Sequence, residues 1–466
     1  MGPGRASKET HAIATAKEFT ADVCPDALQT TMMRRILIAI LCCASTLAAQ
    51  QPQSAASSPN TITLDEAVQE ALSKNLDLAV QRYDISVAEA RQIQARLRPN
   101  PVLTVSGDHL DLLGTHYDAI NNAGPNEYSV RTDFVLERAG KREKRMALGA
   151  VGRSIAELGV QDAMRKVVFE VQSAFVDVLL AKEHLALARD NLKSLNGIVQ
   201  VNTARVRTGD LAPVELSRSQ VAALQYQTSV QQAEMQLRQA TNHLQLLLGR
   251  TSPVDDFDVT GPFRSDPPTA DLAALKEKAR LQRPDLLALE QGQARSQADL
   301  RLQIATGKVD YTVGTEYRRQ DAPSGMGNSL GFFFSAPLPF FHRNQGEIAR
   351  AESELTQAGA RILALQASVN ADVSNTWQQY LTSKSLFQDI QATMLPKAKE
   401  VRETTEYSYR RGEASLVEFL DAQRAFNDAM QSYNDARAAY ARSLYLMDAM
   451  TGASVAGAGD PKRDTN

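Results

Sequence analysis

The sequence predicts a mainly α-helical protein with a small membrane β portion, built from two tandem repeats of helix, strand, strand and helix. Three observations predict this fold class. The two halves of the chain share residues at matching positions, long stretches without proline carry apolar residues seven apart, and four short runs are rich in β-branched and aromatic residues. Together these patterns predict long coiled-coil helices beside a few strands.

Each repeat opens with two helices. The first ends near Lys74 or near Gln282, where the chain is expected to bend, and Pro284 favours that bend in the second repeat. The next helix runs to about Leu97 or Ile304. We therefore expect the same pair of short helices at the start of both halves.

Two runs with the composition of strands follow in each repeat. The second of them alternates apolar and polar residues from Tyr128 onward, whereas the fourth is rich in Phe. These two runs are close to the ~9–11 residues of a tilted membrane strand. The four predicted strands lie near residues 102–107, 128–136, 309–317 and 330–338.

Two very long helices come next. Residues 141–206 contain no proline, and an apolar row with a spacing of seven runs from Val171 to Leu192, which is typical of a coiled coil. Residues 345–393 carry the same spacing, and Pro396 is expected to kink the rod beyond them. A glycine turn follows each rod, and a return helix then spans residues 213–248 or 416–450.

The internal repeat defines the domain organisation. Leu64 and Asp77 recur as Leu272 and Asp285, and matches continue along both halves. The sequence therefore predicts a first repeat, a linker rich in Pro, Asp and Gly, a second repeat and a disordered tail, which span residues 61–250, 251–268, 269–452 and 453–466.

The start of the chain predicts a secretory signal. Residues 32–49 combine two arginines, a short apolar run and a small-residue cleavage site. A signal normally lies at the N-terminus, so residues 1–31 are interpreted as a non-native upstream extension. All three cysteines precede the predicted cleavage, so the mature chain has neither disulfides nor thiol chemistry, and lipidation of Cys42 or Cys43 stays open.

The composition and motifs exclude several classes of function. The 466 residues carry a net charge of −3, so no basic surface recruits nucleic acid through its phosphates. The sequence contains no nucleophile elbow, no phosphate-binding glycine loop and no HExxH pair. We therefore expect no enzyme activity and no cofactor.

Four membrane strands in one chain cannot close a barrel, because such barrels start near eight strands and lipid does not tolerate open edges. Two chains would supply eight strands and three would supply twelve, so several copies must share one barrel. The rods have narrow apolar seams and polar faces elsewhere, which suits helices arranged around a water-filled lumen. A periplasmic coiled-coil scaffold or adaptor without a barrel is the alternative, favoured if the four runs are ordinary loops.

The segment at the second tip resembles the TolC family of outer-membrane efflux proteins. Residues 409–423 carry the most specific part of this resemblance, which extends over residues 61–452. The segments that begin at Arg138 and at Pro337 are similar to the CzcC-like heavy-metal efflux branch. The resemblance implies a homotrimer in the outer membrane, with a twelve-stranded transmembrane β-barrel and a long α-helical barrel extending into the periplasm.

The same resemblance implies a function. Members of this branch are passive export ducts of tripartite efflux systems, and they work with a periplasmic membrane-fusion adaptor and an inner-membrane RND-type pump. Divalent or monovalent heavy-metal cations are the expected cargo. Multidrug export or type I secretion is the alternative.

A candidate periplasmic gate lies just after the second tip. Glu418 and Asp421 are three residues apart on one helix face, and in a trimer they would form six carboxylates around a narrow entrance. They match the positions where aspartates constrict the periplasmic entrance in the family. The first repeat has Glu215 and Arg218 at these places, so it does not repeat the acidic pair.

The tip turns are candidate contacts for the adaptor. Gly209 and Gly412 suit a left-handed turn at a helix end. The resemblance implies that both glycines, together with Tyr409 and Ser415, meet the adaptor. Tyr409 could equally be a residue of the helix seam.

Basic residues, prolines and glycines follow the second strand of each repeat, and we expect them to anchor the junction of barrel and helices. They are Arg138, Gly140, Lys141, Arg142, Pro337, Pro339, Arg343, Asn344 and Gly346. The histidines are scattered, so the sequence predicts no metal site. His109 and His116 are interpreted as parts of a solvated outer loop.

Overall fold

The structure is a computed structural model that describes residues 60–110, 112, 114, 126–322 and 325–453. The predicted upstream extension, the signal with Cys42 and Cys43, His116 and nearly all of the tail lie outside the described residues.

The first repeat contains two short helices, two strands of the main sheet and two long helices. Thr63 and Glu66 form a reciprocal capping box at the first helix, and the Asn75 side chain accepts a hydrogen bond from Leu78 N (2.9 Å) at the second. The elements are β1 (Asn60–Ile62), α1 (Leu64–Lys74), α2 (Leu76–Arg96), β2 (Val102–Asp108), β3 (Glu127–Leu136), α3 (Lys141–Thr208) and α4 (Pro213–Leu247).

The second repeat has the same order, with one interruption in its long helix. Asp271 caps its first helix by accepting a hydrogen bond from Ala274 N (2.9 Å). The elements are β4 (Phe257–Val259), α5 (Leu272–Gln282), α6 (Pro284–Thr306), β5 (Tyr311–Ala322), β6 (Gly325–Ser335), α7 (Gln345–Asp389), a π-helical turn (Ile390–Met394), α8 (Leu395–Arg411) and α9 (Leu416–Met450).

The last two strands differ from their expected positions. β5 continues to Ala322, and β6 ends at Ser335 rather than at Leu338. Pro337 and Pro339 explain the earlier end, because proline has no N–H to donate to a ladder.

A π-helical turn lies directly before Pro396, where the sequence predicted a kink in the rod. Leu395 N donates to Ile390 O, five residues back. The wider turn lies directly before Pro396, whose missing N–H would otherwise interrupt the regular helix. α3, the counterpart of this rod, runs without such a break.

The main sheet joins the two repeats. Its four strands are antiparallel in the order β2, β3, β5, β6, so the centre of the sheet pairs a strand of one repeat with a strand of the other. β1 and β4 form a separate parallel pair. Among the described strands, β2 and β6 each have only one neighbour, so this sheet is not closed.

In each repeat, a glycine after the last helix packs closely against the end of the first helix. Gly249, at φ 79°, lies so near the end of α1 that an added Cβ would be 2.1 Å from Lys74 O. Gly452, at φ 76°, makes the same approach to Gln282 at the end of α5. Thus the return helix of each repeat ends against the first helix of that repeat.

Candidate functional site

One face of the main sheet is apolar and exposed. The pairing places Val130 between Val105 and Tyr317, and Tyr317 beside Leu330, so alternate residues share this face. A continuous exposed apolar surface with ten large side chains marks a contact with a membrane or a partner. Its exposed members are Leu103, Val105, Tyr128, Val130, Phe134, Leu136, Tyr317, Leu330, Phe332 and Phe334.

The opposite face of the sheet carries paired charges. Arg131 contacts Asp133 at 2.9 Å, and Arg318 contacts Glu316 at 2.9 Å and Glu127 at 3.2 Å. The alternation in the sequence marked only Arg131 and Asp133 of these residues as polar strand positions. The sheet therefore has one face suited to lipid and one suited to water.

A glycine makes room for one of these ion pairs. Gly314 stands opposite Asp133 across the β3–β5 pair, and an added Cβ would lie 2.2 Å from Asp133 Oδ1. Any side chain at this position would displace the carboxylate that Arg131 contacts. The ion pair between Arg131 and Asp133 on the polar face therefore requires glycine at position 314.

The basic residues of the first junction converge on an acid of the second repeat. Lys141 Nζ lies 2.7 Å from Asp310 Oδ2, and Arg138 N donates to Asp310 Oδ1 at 2.9 Å. The Arg138 guanidinium also lies over the Tyr311 ring, 4.3 Å from its centroid. The sequence analysis did not predict Asp310 as a junction residue, because no sequence spacing relates it to Lys141.

The other junction residues lie where the rods begin. Gly140 and Asn344 occupy equivalent places, each at φ 63° and each preceding a long helix. Arg142 Nε donates to Arg96 O at 2.7 Å, which joins the junction to the end of α2. The remaining predicted members, Pro337, Pro339, Arg343 and Gly346, lie on the β6–α7 connection or in the first turn of α7.

The tip turns have the same geometry in both repeats. Gly209 is at φ 84° and Gly412 at φ 85°, and each closes its helix with a hydrogen bond from the following residue. Arg205 Nη2 would lie 3.1 Å from a Cβ added at Gly412. The two predicted tips therefore meet side by side.

Tyr409 lies in the seam between the hairpins, the alternative that the sequence left open. Its side chain is only 3% exposed, its hydroxyl contacts Asn202 Oδ1 at 2.8 Å, and its ring stacks on Phe419. Burial raises the pKa of the Tyr409 hydroxyl. Asn202, which the sequence reasoning missed, supplies the polar partner that a buried hydroxyl requires.

The candidate gate residues lie on the exposed side of α9. Glu418 Oε2 accepts hydrogen bonds from Ser415 N (2.7 Å) and Ser415 Oγ (2.9 Å), which completes a capping box. The backbone hydrogen bond from Ser415, followed by that from its hydroxyl, lowers the pKa of Glu418. Asp421 contacts Arg424 at 3.3 Å.

A buried polar group, which the sequence reasoning also missed, joins α3 to α9. Asn191 Oδ1 accepts from Gln423 Nε2 at 2.8 Å, and Asn191 Nδ2 donates to Asn427 Oδ1 at 2.7 Å. Amides in an apolar seam fix the register of the two helices, because any shift leaves them without partners.

Two features are absent from the part of the chain that the structure describes. No group of three or more His, Cys, Asp or Glu there is arranged to hold a metal ion. No helix there is apolar over enough of its length to cross a membrane.

Comparison with known proteins identifies relatives along most of the chain. Residues 67–250 and 275–453 match the family model described as outer membrane efflux protein. The cobalt-zinc-cadmium resistance protein CzcC of Cupriavidus metallidurans is 23% identical over 80% of this chain and 85% of its own. The pyoverdine export outer membrane protein OpmQ of Pseudomonas putida is 24% identical, over 78% of this chain and 80% of its own.

The solved structures show the same fold. The outer membrane channel CmeC of Campylobacter jejuni has a TM-score of 0.69 at 15% identity, covering 84% of this chain and 86% of that one. A third relative by sequence is the cation efflux system protein CusC of Escherichia coli K12, which is 25% identical over 77% of this chain and 79% of its own.

Proposed function

Because the chain belongs to the outer membrane efflux protein family, whose channels are transport ducts rather than enzymes, we propose that it is the exit duct of a tripartite heavy-metal efflux system. Three copies share one barrel in the outer membrane, and their helices extend into the periplasm. A periplasmic membrane-fusion adaptor and an inner-membrane RND-type pump supply the cargo and the energy.

The observation that carries this proposal is the open sheet with two unlike faces. β2 and β6 each leave one edge without a partner among the described strands, while one face is apolar and the other bears ion pairs. Unpaired edges are not tolerated in lipid, so strands from other copies must cover them. The alternative of a coiled-coil scaffold without a barrel required the four runs to be ordinary loops, and they form paired strands instead.

The helices support assembly in the same way. Leu76, Val80, Tyr83 and Val87 are spaced by four and three along α2, and all four side chains are exposed. This is the spacing of a coiled-coil seam, and no other described residue of the chain buries it. A helix of a neighbouring copy would complete it.

The proposed gate consists of Glu418 and Asp421 from three copies. Both carboxylates are exposed near the tip, and a ring of such groups would attract cations and repel other carboxylates. The proposed adaptor contact is the adjacent pair of turns at Gly209 and Gly412, together with Ser415. In the single chain Tyr409 supports these turns from within the seam.

The cargo proposal follows the resemblance to CzcC and CusC, whose names state metal resistance and cation efflux. OpmQ favours a second candidate, export of a small organic molecule, because its name states pyoverdine export. Survival of a deletion strain on cobalt, zinc, cadmium, copper and silver separates the two. Metal sensitivity that the cloned gene reverses supports the proposal, whereas normal metal tolerance with loss of organic export rejects it.

Assembly is tested on the purified full chain in detergent. We expect a mass of three chains, and we expect the trimer to require detergent for extraction from outer membranes. A monomer that remains soluble in plain buffer would reject the shared barrel.

A further inference from the structure

The connection between β6 and α7, residues 336–344, exposes three large apolar side chains. Leu338 is 71% exposed, Phe340 69% and Phe341 92%. Leaving such side chains in water forgoes the stabilisation that their burial would give. Another surface is therefore expected to cover them in the working protein.

Hydrogen bonds hold the backbone of this connection in place. Gln345 Nε2 donates to Phe341 O at 2.9 Å, and Asn344 Nδ2 donates to Gln303 O at 2.9 Å. The second bond fixes the connection to the end of α6. The apolar side chains are thus presented outward by an ordered backbone.

The first repeat has no equivalent of this feature. Its connection between β3 and α3 is residues 137–140, which read Glu, Arg, Ala and Gly. The shared repeat fold can therefore be built without exposed aromatic residues at this point. Their presence in the second repeat requires a separate explanation.

The position of the connection identifies what covers it. Phe334, on the apolar face of β6, lies against Tyr311 with ring centroids 5.2 Å apart. The Arg138 guanidinium also lies over the Tyr311 ring. At this level the apolar face gives way to the basic junction. Aromatic side chains beside basic residues are typical of the boundary between acyl chains and head groups.

Charge supports the same occupant. Arg343 follows the aromatic pair, and its Nε donates to Pro339 O at 2.9 Å. Within the described residues, the acceptor that the Arg343 guanidinium contacts is this backbone carbonyl and not a carboxylate. A guanidinium in this place suits a lipid phosphate.

We propose that residues 337–341 are an interfacial anchor that inserts Leu338, Phe340 and Phe341 into the phospholipid leaflet nearest the helices. The anchor rests on the proposed function, in that the main sheet must lie in the membrane. It gives each copy one attachment, from the second repeat only, that sets the depth of the barrel in the bilayer.

Depth-dependent fluorescence quenching tests the anchor. Trp377 is the only tryptophan, so a Trp377→Phe background allows a single probe to be placed by Phe341→Trp. Two matched controls lie on β6: Phe332→Trp on the apolar face and Phe333→Trp on the opposite face, where Arg131 covers the ring. Each full-length variant is reconstituted into phospholipid vesicles that contain lipids labelled near the head group or deep in the chain.

The anchor predicts that the probe at 341 loses intensity mainly to the shallow label, whereas the probe at 332 loses it to the deep label. The probe at 333 should respond to neither lipid label. Quenching at 341 by aqueous iodide alone, or by no agent because another copy covers it, overturns the anchor while 332 still reports a membrane sheet. Loss of lipid quenching at 332 as well would instead reject the proposed function.

Discussion

Lys141 and Asp310 form an ion pair that joins the two repeats where the sheet meets the rods. Their charged atoms lie 2.7 Å apart, and the lysine is only 8% exposed. The same carboxylate accepts the backbone N–H of Arg138. One aspartate thus fixes both the direction of the first rod and its contact with the second repeat.

Asp310→Asn should destabilise the folded chain by about 1–3 kcal/mol, because it leaves a nearly buried lysine without its counter-charge. The measurement is the shift in the unfolding midpoint of the trimer in detergent. Glu277→Gln is the matched control, since Glu277 pairs with Arg280 on an exposed helix surface. Equal shifts for the two variants would contradict the role of the ion pair.

Gly249→Ala should cost more than about 2 kcal/mol, because its Cβ would overlap the Lys74 carbonyl and its φ is positive. Gly209→Ala is the control, at φ 84° with no atom near the added Cβ. It should cost only about 1 kcal/mol, from the left-handed conformation alone. Chemical unfolding of both variants measures the difference, and a Gly209 effect as large as that at Gly249 would refute the close approach.

Tyr409→Phe should loosen the tip by about 1–2 kcal/mol, since the buried Asn202 loses its partner. Hydrogen exchange of the tip amides measures this change without requiring global unfolding. Tyr407→Phe serves as the control, because the Tyr407 hydroxyl contacts Arg411 on the exposed surface. If both variants leave exchange unchanged, Tyr409 does not hold the hairpins together.

The capping box at Glu418 should make the start of α9 sensitive to acid. Its hydrogen bonds lower the pKa in the folded chain, so the stabilisation is present above the ordinary glutamate pKa of about 4.3 and is lost as the pH falls through the lower folded value. Hydrogen exchange in the first turn of α9 should therefore rise at acid pH. In Glu418→Gln this acid-dependent rise should be absent, and its persistence would assign the effect to another group.

The proposed gate predicts an effect on conduction. Glu418→Gln combined with Asp421→Asn removes every carboxylate of the proposed ring while keeping side-chain size. Block of the reconstituted channel by divalent cations added on the periplasmic side should weaken. Glu215→Gln, at the corresponding place in the first repeat, is the control, and an equal effect there would argue against a gate at α9.

The positions of the long helices follow from local pattern, but the course of their seam does not. The apolar row from Val171 to Leu185 is buried as its spacing predicts, whereas the next member, Leu192, is only half-buried. Asn191 and Leu195 are buried there instead. A straight helix drifts by ~20° per seven residues against a strict seven-residue row, so the contact face moves to neighbouring positions.

Local chemistry likewise accounts for the strand faces and the tips. Alternation from Tyr128 onward correctly separates the apolar and polar faces of β3, and glycine marks both left-handed turns. The sequence does not reveal which strands pair across the repeats. That pairing depends on how two separately encoded halves meet.

The twofold repeat could be predicted from the sequence, because matching residues recur in both halves of the chain. The order of helices and strands and the apolar side of most of them could also be predicted, because these depend on periods of a few residues along one stretch of chain. The three-dimensional fold is needed to show that β3 pairs with β5, that Asp310 pairs with Lys141, and that Tyr409 lies in the seam with Asn202. Those partners are separated by well over a hundred residues. Their meeting depends on the crossing of helices and the register of strands, which no local period encodes.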